Sequence, residues 1–476
     1  MNRRDPLVLV YLVDGARPDV FRRLLDEGEL PNIRREVTAE GTFRLASSCL
    51  PSTTGPAHLP FLLGCFPGTL NIPGIRWLDK AEFHARRFGL NRFRSYNGPE
   101  ALLLNRDLPP ERPTIFELAR RPFAIYSMVT RGLPRGHDLT QHSKPWMYVG
   151  AHLTDRWVPV DRLAHARLMR CLDAYPDYIF AVFTNVDCYS HLRDPFAPET
   201  LAGYRYVDAS VGQVVAKLKR QGRWDDTLLI LTSDHGMSAT GRHLDLAQYL
   251  DRRGIRTLYY PVLWKNRPQA SVMISGNAVG QIYFLKEAAR GGHLAEPLVG
   301  SRVRDALGPI WDELLAREEI DFLAWRGADR TYEIASPRGE ATIRRTAQGT
   351  TYHPRNGDPF GLGRLATPLG ERASLEATFD SDYPDALVQL DQLFASSRSG
   401  DLVVVSRSGY DLREAFEWPE HHGSHGSLHR DHMHVPVIYN RTGWTPGPAR
   451  TADLFPTTLA WLGLPPVEGT DGRSLL

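Results

Sequence analysis

The chain has 476 residues, 42% hydrophobic and 24% charged, with 57 Lys plus Arg against 55 Asp plus Glu. That composition supports a sizeable core and excludes wholesale disorder, while the near balance of charge leaves no global field for nucleic acid or an anionic membrane surface, so any anion must be recognised locally. Cys49, Cys65, Cys171 and Cys188 show no CxxC spacing or disulfide framework, no apolar stretch reaches bilayer-spanning length, and Met1 to Pro6 carries no signal pattern, so a soluble, cytoplasmic protein is expected.

In chain order, Leu7 to Val13 (LVLVYLV) is the first of several short apolar runs of the kind found in strands covered on both faces. It delivers Asp14 into a turn opened by Gly15. Arg17 to Glu27 reads as a helix. Pro51-Ser52-Thr53-Thr54-Gly55-Pro56-Ala57-His58 then leads into the apolar Leu59 to Leu63 and Gly64. A hydroxyl at such a helix start either caps the helix or, given a base or a cation to activate it, serves as a nucleophile. Phe123 to Val129 and Tyr178 to Phe183 are the next strands. Asp187 and His191 follow, at a spacing that shares a helical face whether they are ligands or a polar pair. After a helix at Tyr204 to Arg220, the strand Leu228 to Leu231 ends in Thr232-Ser233-Asp234-His235-Gly236-Met237, an adjacent Asp and His with a glycine relieving the turn.

This alternation predicts a mainly parallel sheet with helices on both faces, in which ligands gather beyond the carboxyl ends of the strands. Asp14, Asp187 and Asp234 obey that geometry, although an Asp after a strand equally caps a turn. From about Gly254 to Ser397 the pattern changes to mixed pieces, Ala270 to Ile274, Gln281 to Leu285 and Thr331 to Ala335, and the core pattern resumes at Asp401 with Leu402 to Val405. The expected organisation is one α/β core, residues 1–253 and 398–476, split by an inserted α+β cap, residues 254–397. Six histidines lie between His421 and His434, a tract that reads as a solvated loop apart from Gly423-Ser424-His425-Gly426, where flanking glycines set His425 on a close-fitting turn. Mixed Asp and His donors suit zinc or manganese better than calcium or magnesium.

Taken together, Asp14, Thr54, Asp187 with His191, Asp234 with His235, and His425 resemble the alkaline phosphatase superfamily, specifically its type I phosphodiesterase and nucleotide pyrophosphatase family. The resemblance runs from Leu7 to the C-terminus, where Thr451 to Leu476 is similar to the family's closing helix and final Asp-Gly-Arg-Ser-Leu stretch, and it is least informative over the insertion. It implies an alkaline-phosphatase-like core with a mostly parallel central sheet flanked by helices. It further implies that Asp14, Asp234, His235 and the Thr54 oxygen hold one divalent metal ion and Asp187, His191 and His425 another, zinc foremost and manganese as the alternative. Thr54 would then attack phosphorus and form a phosphothreonine intermediate.

Two departures qualify the match. The family's threonine precedes Phe-Pro-Asn-His, and here Gly55-Pro56-Ala57-His58 keeps only the Pro and the His. The family also binds a phosphoryl oxygen with an Asn where this chain has Ile75, so Asn71 and Arg76 are the candidates to replace it. Arg131 is a further anchor candidate in a chain whose basic residues are mostly arginine. Cys49-Leu50-Pro51-Ser52 imitates the cysteine motif of sulfatases, but Thr53 stands where that motif has an Arg, and the spacing to Gly64 selects Thr54. The implied substrate is a small-molecule phosphate ester, with phosphodiesterase or nucleotide pyrophosphatase activity foremost. A phosphomonoesterase or phosphonate hydrolase on the same metal core is the alternative, ahead of a sulfatase or a non-catalytic binding protein.

Overall fold

A computed structural model of the protein describes residues 5–86, 88–286, 294–413, 415–416 and 419–476. Its first sheet has seven strands, in the spatial order Ala449–Arg450, Thr42–Ser47, His434–Tyr439, Thr227–Thr232, Leu7–Val13, Tyr178–Phe183 and Pro122–Ile125. The last four run parallel to one another. Every residue of Leu7–Val13 and Tyr178–Phe183 is buried, because neighbouring strands and packed helices leave neither face to solvent, and this is why both segments read as unbroken apolar runs. The helix Pro198–Arg220 supplies one such covering face through Tyr204, Val207, Val211, Val214 and Leu218, spaced for one side of a helix.

Strand register decides where the chain emerges. Val13 stands opposite Phe183 and Leu12 opposite Thr232, and the Asp14 N–H donates to the Phe183 carbonyl at 2.9 Å. Three neighbouring strands therefore end level with one another, and the segments leaving them begin at one edge. The run expected from Phe123 to Val129 stops being a strand at Ile125, since Tyr126 adopts a left-handed conformation (φ 54°) and turns the chain along that edge.

The second sheet has nine strands, ordered Thr257–Leu258, Ala270–Ser275, Val279–Phe284, Leu402–Ser406, Ile320–Arg326, Thr331–Ser336, Gly339–Thr346, Gly349–Arg355 and Leu365–Leu369. All its pairings are antiparallel except the first. Leu402–Ser406 is not part of the parallel sheet, as its position after the insertion suggested. It lies between Val279–Phe284 and Ile320–Arg326. Leu402 and Val404 pack into one cluster with Val272 and Ile282, while Val403 and Val405 pack on the opposite face with Phe322 and Leu390. A strand covered on both sides is apolar throughout, and periodicity then carries no mark of which sheet it joins. Among the described residues no helix is long and apolar enough to cross a membrane.

Candidate functional site

The level strand ends place three acidic segments side by side. Asp14 follows Leu7–Val13 directly, and Gly15 behind it is left-handed (φ 68°); a Cβ there would sit 3.0 Å from the Asp187 Cα, Cβ and Oδ1. Only a glycine lets these two turns approach so closely. Asp187 and His191 lie one turn apart on the helix Asn185–Leu192, with His191 Nε2 3.5 Å from Asp187 Oδ1. Asp234 and His235 leave Thr227–Thr232, and Gly236 after them passes so near the Asp431 carbonyl that a Cβ would lie 2.1 Å from it. His425 arrives from far along the chain. Its loop is held by the pairing of Gly423–Ser424 with Ser238–Ala239 and by bridges from Asn277 to His425 and from Ser52 to Gly426. The last of these also fixes the segment that carries Thr54.

The side chains converge. Thr54 Oγ1 is 3.2 Å from Asp14 Oδ1 and 3.0 Å from His235 Nε2. His235 Nε2 is 3.5 Å from Asp14 Oδ1 and 3.6 Å from Asp234 Oδ2, and its ring stacks on that of His425 at 3.7 Å between centroids. His425 Nε2 lies 4.0 Å from Asp187 Oδ1. Three imidazoles are oriented alike: Nδ1 of His191, His235 and His425 faces the carbonyl of Gly423, Gly236 and Ser52 at 2.7, 2.9 and 2.9 Å. A carbonyl only accepts, so Nδ1 carries the proton and each Nε2 turns its lone pair to the cluster, the arrangement that prepares a histidine to ligate.

Two sets of side chains can each bring one donor atom within 4.8 Å of the others: Asp187, His235 and His425, and Asp14, Asp234 and His235. His235 thus stands between both sets, whereas His191 reaches the cluster through Asp187. The donors fit a cation on a separate ground. Both carboxylate oxygens of Asp234 and Oδ1 of Asp187 are buried without a hydrogen-bond partner, a costly condition for ionised oxygen that a metal ion would relieve. Burial, and then the fields of Asp234 and Asp187, push the Asp14 carboxyl well above its ordinary range, and burial with Asp234 does the same to Asp187. Burial also acts upward on Asp234, but His235 and His58 outweigh it and hold that carboxyl below the usual range. Burial lowers His191, His235 and His425. Without added positive charge the carboxylates cannot all ionise together, and a divalent cation reverses that preference.

The expected substrate anchors are engaged elsewhere. Arg131 donates to the carbonyls of Leu108, Pro109 and Arg112 and pairs with Glu117, which ties together the segment 108–117. Asn71, left-handed at φ 59°, accepts from the hydroxyls of Ser396 and Ser397 at 2.7 and 3.3 Å. Arg76 is buried, donates to the Ile274 carbonyl and lines a cavity with Asp245, Tyr259 and Tyr260. One neighbour of the cluster had no role in the sequence reading. His58 is 1% exposed, its Nε2 lies 3.4 Å from Asp234 Oδ2, and neither ring nitrogen has a hydrogen-bond partner. The available signal was its place one helical turn after Thr54, at the histidine the family pattern shares.

Comparison with known proteins identifies a family and a fold. The family model described as type I phosphodiesterase/nucleotide pyrophosphatase matches residues 8–297. Among curated proteins, GPI ethanolamine phosphate transferase 1 of Neurospora crassa is 24% identical over 225 residues, 45% of this chain and 20% of that protein. The transferase of the same name from Gibberella zeae is 23% identical over 263 residues, 51% of this chain and 24% of that protein. The chain therefore matches no more than about a quarter of the length of these relatives. Among solved structures, phosphonoacetate hydrolase from Sinorhizobium meliloti, bound to phosphonoformate, superposes with a TM-score of 0.58 at 18% identity, covering 97% of this chain and 96% of that one. Murine ectonucleotide pyrophosphatase/phosphodiesterase 5 gives 0.59 at 16%, with the same coverage, and an inactive variant of it was solved with AMP. At such identities these likenesses show the fold, an alkaline-phosphatase-like α/β core carrying an additional α+β region.

Proposed function

We propose, on the premise that the chain belongs to the type I phosphodiesterase/nucleotide pyrophosphatase family, that it hydrolyses small-molecule phosphate esters through Thr54, foremost as a phosphodiesterase or nucleotide pyrophosphatase. The observation that carries this reading is the Thr54 hydroxyl, 3.2 Å from Asp14 Oδ1 and 3.0 Å from His235 Nε2 beside carboxylate oxygens that lack protein partners. Asp14, Asp234, His235 and Thr54 would hold one divalent cation and Asp187, His191 and His425 the other, with zinc favoured by mixed nitrogen and oxygen donors and manganese as the alternative. Bound there, the cations would supply positive charge that favours the threonine alkoxide and screens the phosphoryl group.

The chain's own groups do the rest. Asp14 accepts, and its carboxylate has lone pairs to spare beyond a cation's, so the proton of Thr54 Oγ1 can leave towards Asp14, while the single Nε2 lone pair of His235 is kept for the cation. The oxygen attacks phosphorus in line, the bond to the leaving oxygen breaks, and a phosphothreonine forms. Water then attacks that phosphorus from the vacated side and releases Thr54, so configuration at phosphorus is retained through two inversions. The Nδ1–H bonds of His191, His235 and His425 to backbone carbonyls keep the rings from turning during these steps.

The test is turnover of bis(para-nitrophenyl) phosphate, para-nitrophenyl phosphate and para-nitrophenyl sulfate by the zinc- or manganese-loaded protein. Phosphate ester cleavage that disappears in Thr54→Ala supports the reading, and activity unchanged by that substitution refutes it. A monoesterase or phosphonate hydrolase on the same core is the second reading, favoured by the near full-length structural likeness to phosphonoacetate hydrolase. The division into a core of residues 1–253 with 398–476 and an insertion of 254–397 is kept as part of the proposal, with Leu402–Ser406 lent by the core segment to the second sheet. A cytoplasmic location is proposed on the four unpaired cysteines.

A further inference from the structure

The chain has six lysines, and most are visibly partnered. Lys80 lies 3.0 Å from Asp401, Lys217 2.6 Å from Asp173 and Lys219 2.5 Å from Glu36, while Lys265 pairs with Asp251. Lys144 differs. Its hydrogen bonds within the described structure go to the carbonyls of Tyr126 and Ser127, both at a long 3.3 Å. An ammonium has three donors, so at least one is left for something else.

The position of Lys144 says what that is. Tyr126 and Ser127 follow the strand Pro122–Ile125, which pairs with Tyr178–Phe183, which in turn pairs with Leu7–Val13, so the Lys144 ammonium rests on the same sheet edge that carries Asp14. Met128, next along, packs its sulfur 3.0 Å from where a side chain on Gly55 would begin, beside Thr54. One turn further on the helix Lys144–Thr154, the Tyr148 ring lies 5.8 Å from the Lys144 ammonium, 5.6 Å from the Tyr126 ring and 5.6 Å from the Trp157 ring. The backbone N–H of Trp157 in turn donates to the Tyr189 hydroxyl at 3.1 Å, on the helix that bears Asp187. The helix Lys144–Thr154 is thus braced against both the Thr54 side and the Asp187 side of the cluster. Burial draws the ammonium down to about 8, and the fields of Asp138 and Asp14 oppose it. A half-buried ammonium with a donor to spare at this sheet edge gains most from an anion that arrives with the substrate.

We propose that Lys144 determines specificity by holding a second anionic oxygen group, on or adjacent to the scissile phosphorus. It would select doubly charged substrates such as phosphate monoesters, phosphonates and pyrophosphate diesters over singly charged diesters. This rests on the phosphate ester hydrolase reading and names the substrate class of that site.

The experiment compares wild type, Lys144→Met and Lys144→Arg as full-length, metal-loaded proteins. The substrates are para-nitrophenyl phosphate, a diaryl pyrophosphate and bis(para-nitrophenyl) phosphate. Loss of one charge-assisted contact is expected to lower kcat/KM about 30-fold in Lys144→Met, through KM, on a doubly charged substrate. The singly charged diester should change less than about threefold, and Lys144→Arg should recover at least part of the loss. A selective fall with the monoester places the second charge on the reacting phosphorus, and one with the pyrophosphate places it on the neighbour. Equal losses on all three substrates, or no loss, overturn the proposal. Calorimetric binding of inorganic phosphate and pyrophosphate, to Thr54→Ala with and without Lys144→Met, gives a readout free of turnover. Weaker binding with Lys144→Met supports the assignment and unchanged binding overturns it. Failure of the parent reading looks different, as a wild-type protein that turns over none of the three esters.

Discussion

Two fully buried aspartates, one on each sheet, show what separates a structural carboxylate from a chemical one. In the second sheet Asp401 accepts from Lys80 at 3.0 Å on both oxygens and from the N–H groups of Leu298 and Phe284 at 2.7 Å. At the edge of the first sheet Asp234 is equally buried, yet neither of its oxygens has a hydrogen-bond partner, and the imidazole nitrogens beside it are those of His58 at 3.4 Å and His235 at 3.6 Å. Both are shut away from water, and only one has its oxygens hydrogen-bonded by the protein. Since buried ionised oxygens without hydrogen bonds are costly, the carboxylate whose oxygens the fold leaves unbonded marks where an external cation belongs.

The comparison is open to attack at several points. The largest effect is expected from Thr54→Ala, which should lower turnover of a phosphate ester by at least about ten-thousand-fold with a melting point close to wild type; retained turnover would detach the hydroxyl from the chemistry. Asp234→Asn and Asp187→Asn should each lower activity by about a thousand-fold and reduce bound metal, measured by plasma emission. Asp187→Asn should leave the metal-free protein as stable as wild type or more so, because burial and the charge of Asp234 already disfavour its ionised form. Destabilisation of the metal-free form of Asp187→Asn by several kcal/mol would mean that Asp187 is a structural residue after all.

Lys80→Met should behave in the opposite way. It strips the charge partner from Asp401, so urea denaturation should show a loss of about 3–5 kcal/mol while kcat/KM for the folded protein stays within about threefold.

A smaller effect concerns acid stability. His432 is 1% exposed, bonded to the Ser427 and Ser238 hydroxyls at 2.7 and 2.8 Å, and burial lowers it to about 3. It stays neutral in the fold while the unfolded chain takes up a proton below about pH 6.5, so its contribution is complete above that pH and is lost as pH falls towards 3. Relative to His432→Gln, wild type should lose about 2–3 kcal/mol between pH 6.5 and 4.5; parallel stability curves for the two proteins would contradict this. The smallest effect is expected from Asn71→Ala, whose side chain accepts from Ser396 and Ser397. Its kcat/KM should move by less than about threefold, and a loss of a hundred-fold would restore it as a substrate contact.

The side chains that the structure brings together were legible because their signals are local. Asp14, Asp187 and Asp234 each follow an apolar run, and parallel strands whose registers end level place such residues at one edge. His425 had no such signal in its own surroundings, a tract of six histidines, and was singled out only by the flanking glycines and the family pattern. Those glycines prove sterically required: a Cβ on Gly426 would lie 2.4 Å from the Ser275 carbonyl, and one on Gly423 2.6 Å from that of Ser190. Arg131 and Asn71 were chosen for chemistry alone, and nothing in the sequence could show that nearby backbone carbonyls and serines already occupy them. Lys144 is the converse case, a helix-start lysine without a motif whose position beside the edge that carries Asp14 follows from the turn at Tyr126.

By itself the sequence determined the parallel α/β core, the acidic strand ends, the threonine at a helix start and the family to which the chain belongs, because each is written in short-range periodicity, turn chemistry or ordered spacing. Only the tertiary structure decided that Leu402–Ser406 joins the second sheet, that His235 stands between both sets of donors, that His58 lies against Asp234 and that the Lys144 ammonium rests on the Tyr126 and Ser127 carbonyls. These depend on which distant segments share a neighbour, and burial on both faces erases from a segment any trace of the partner that covers it.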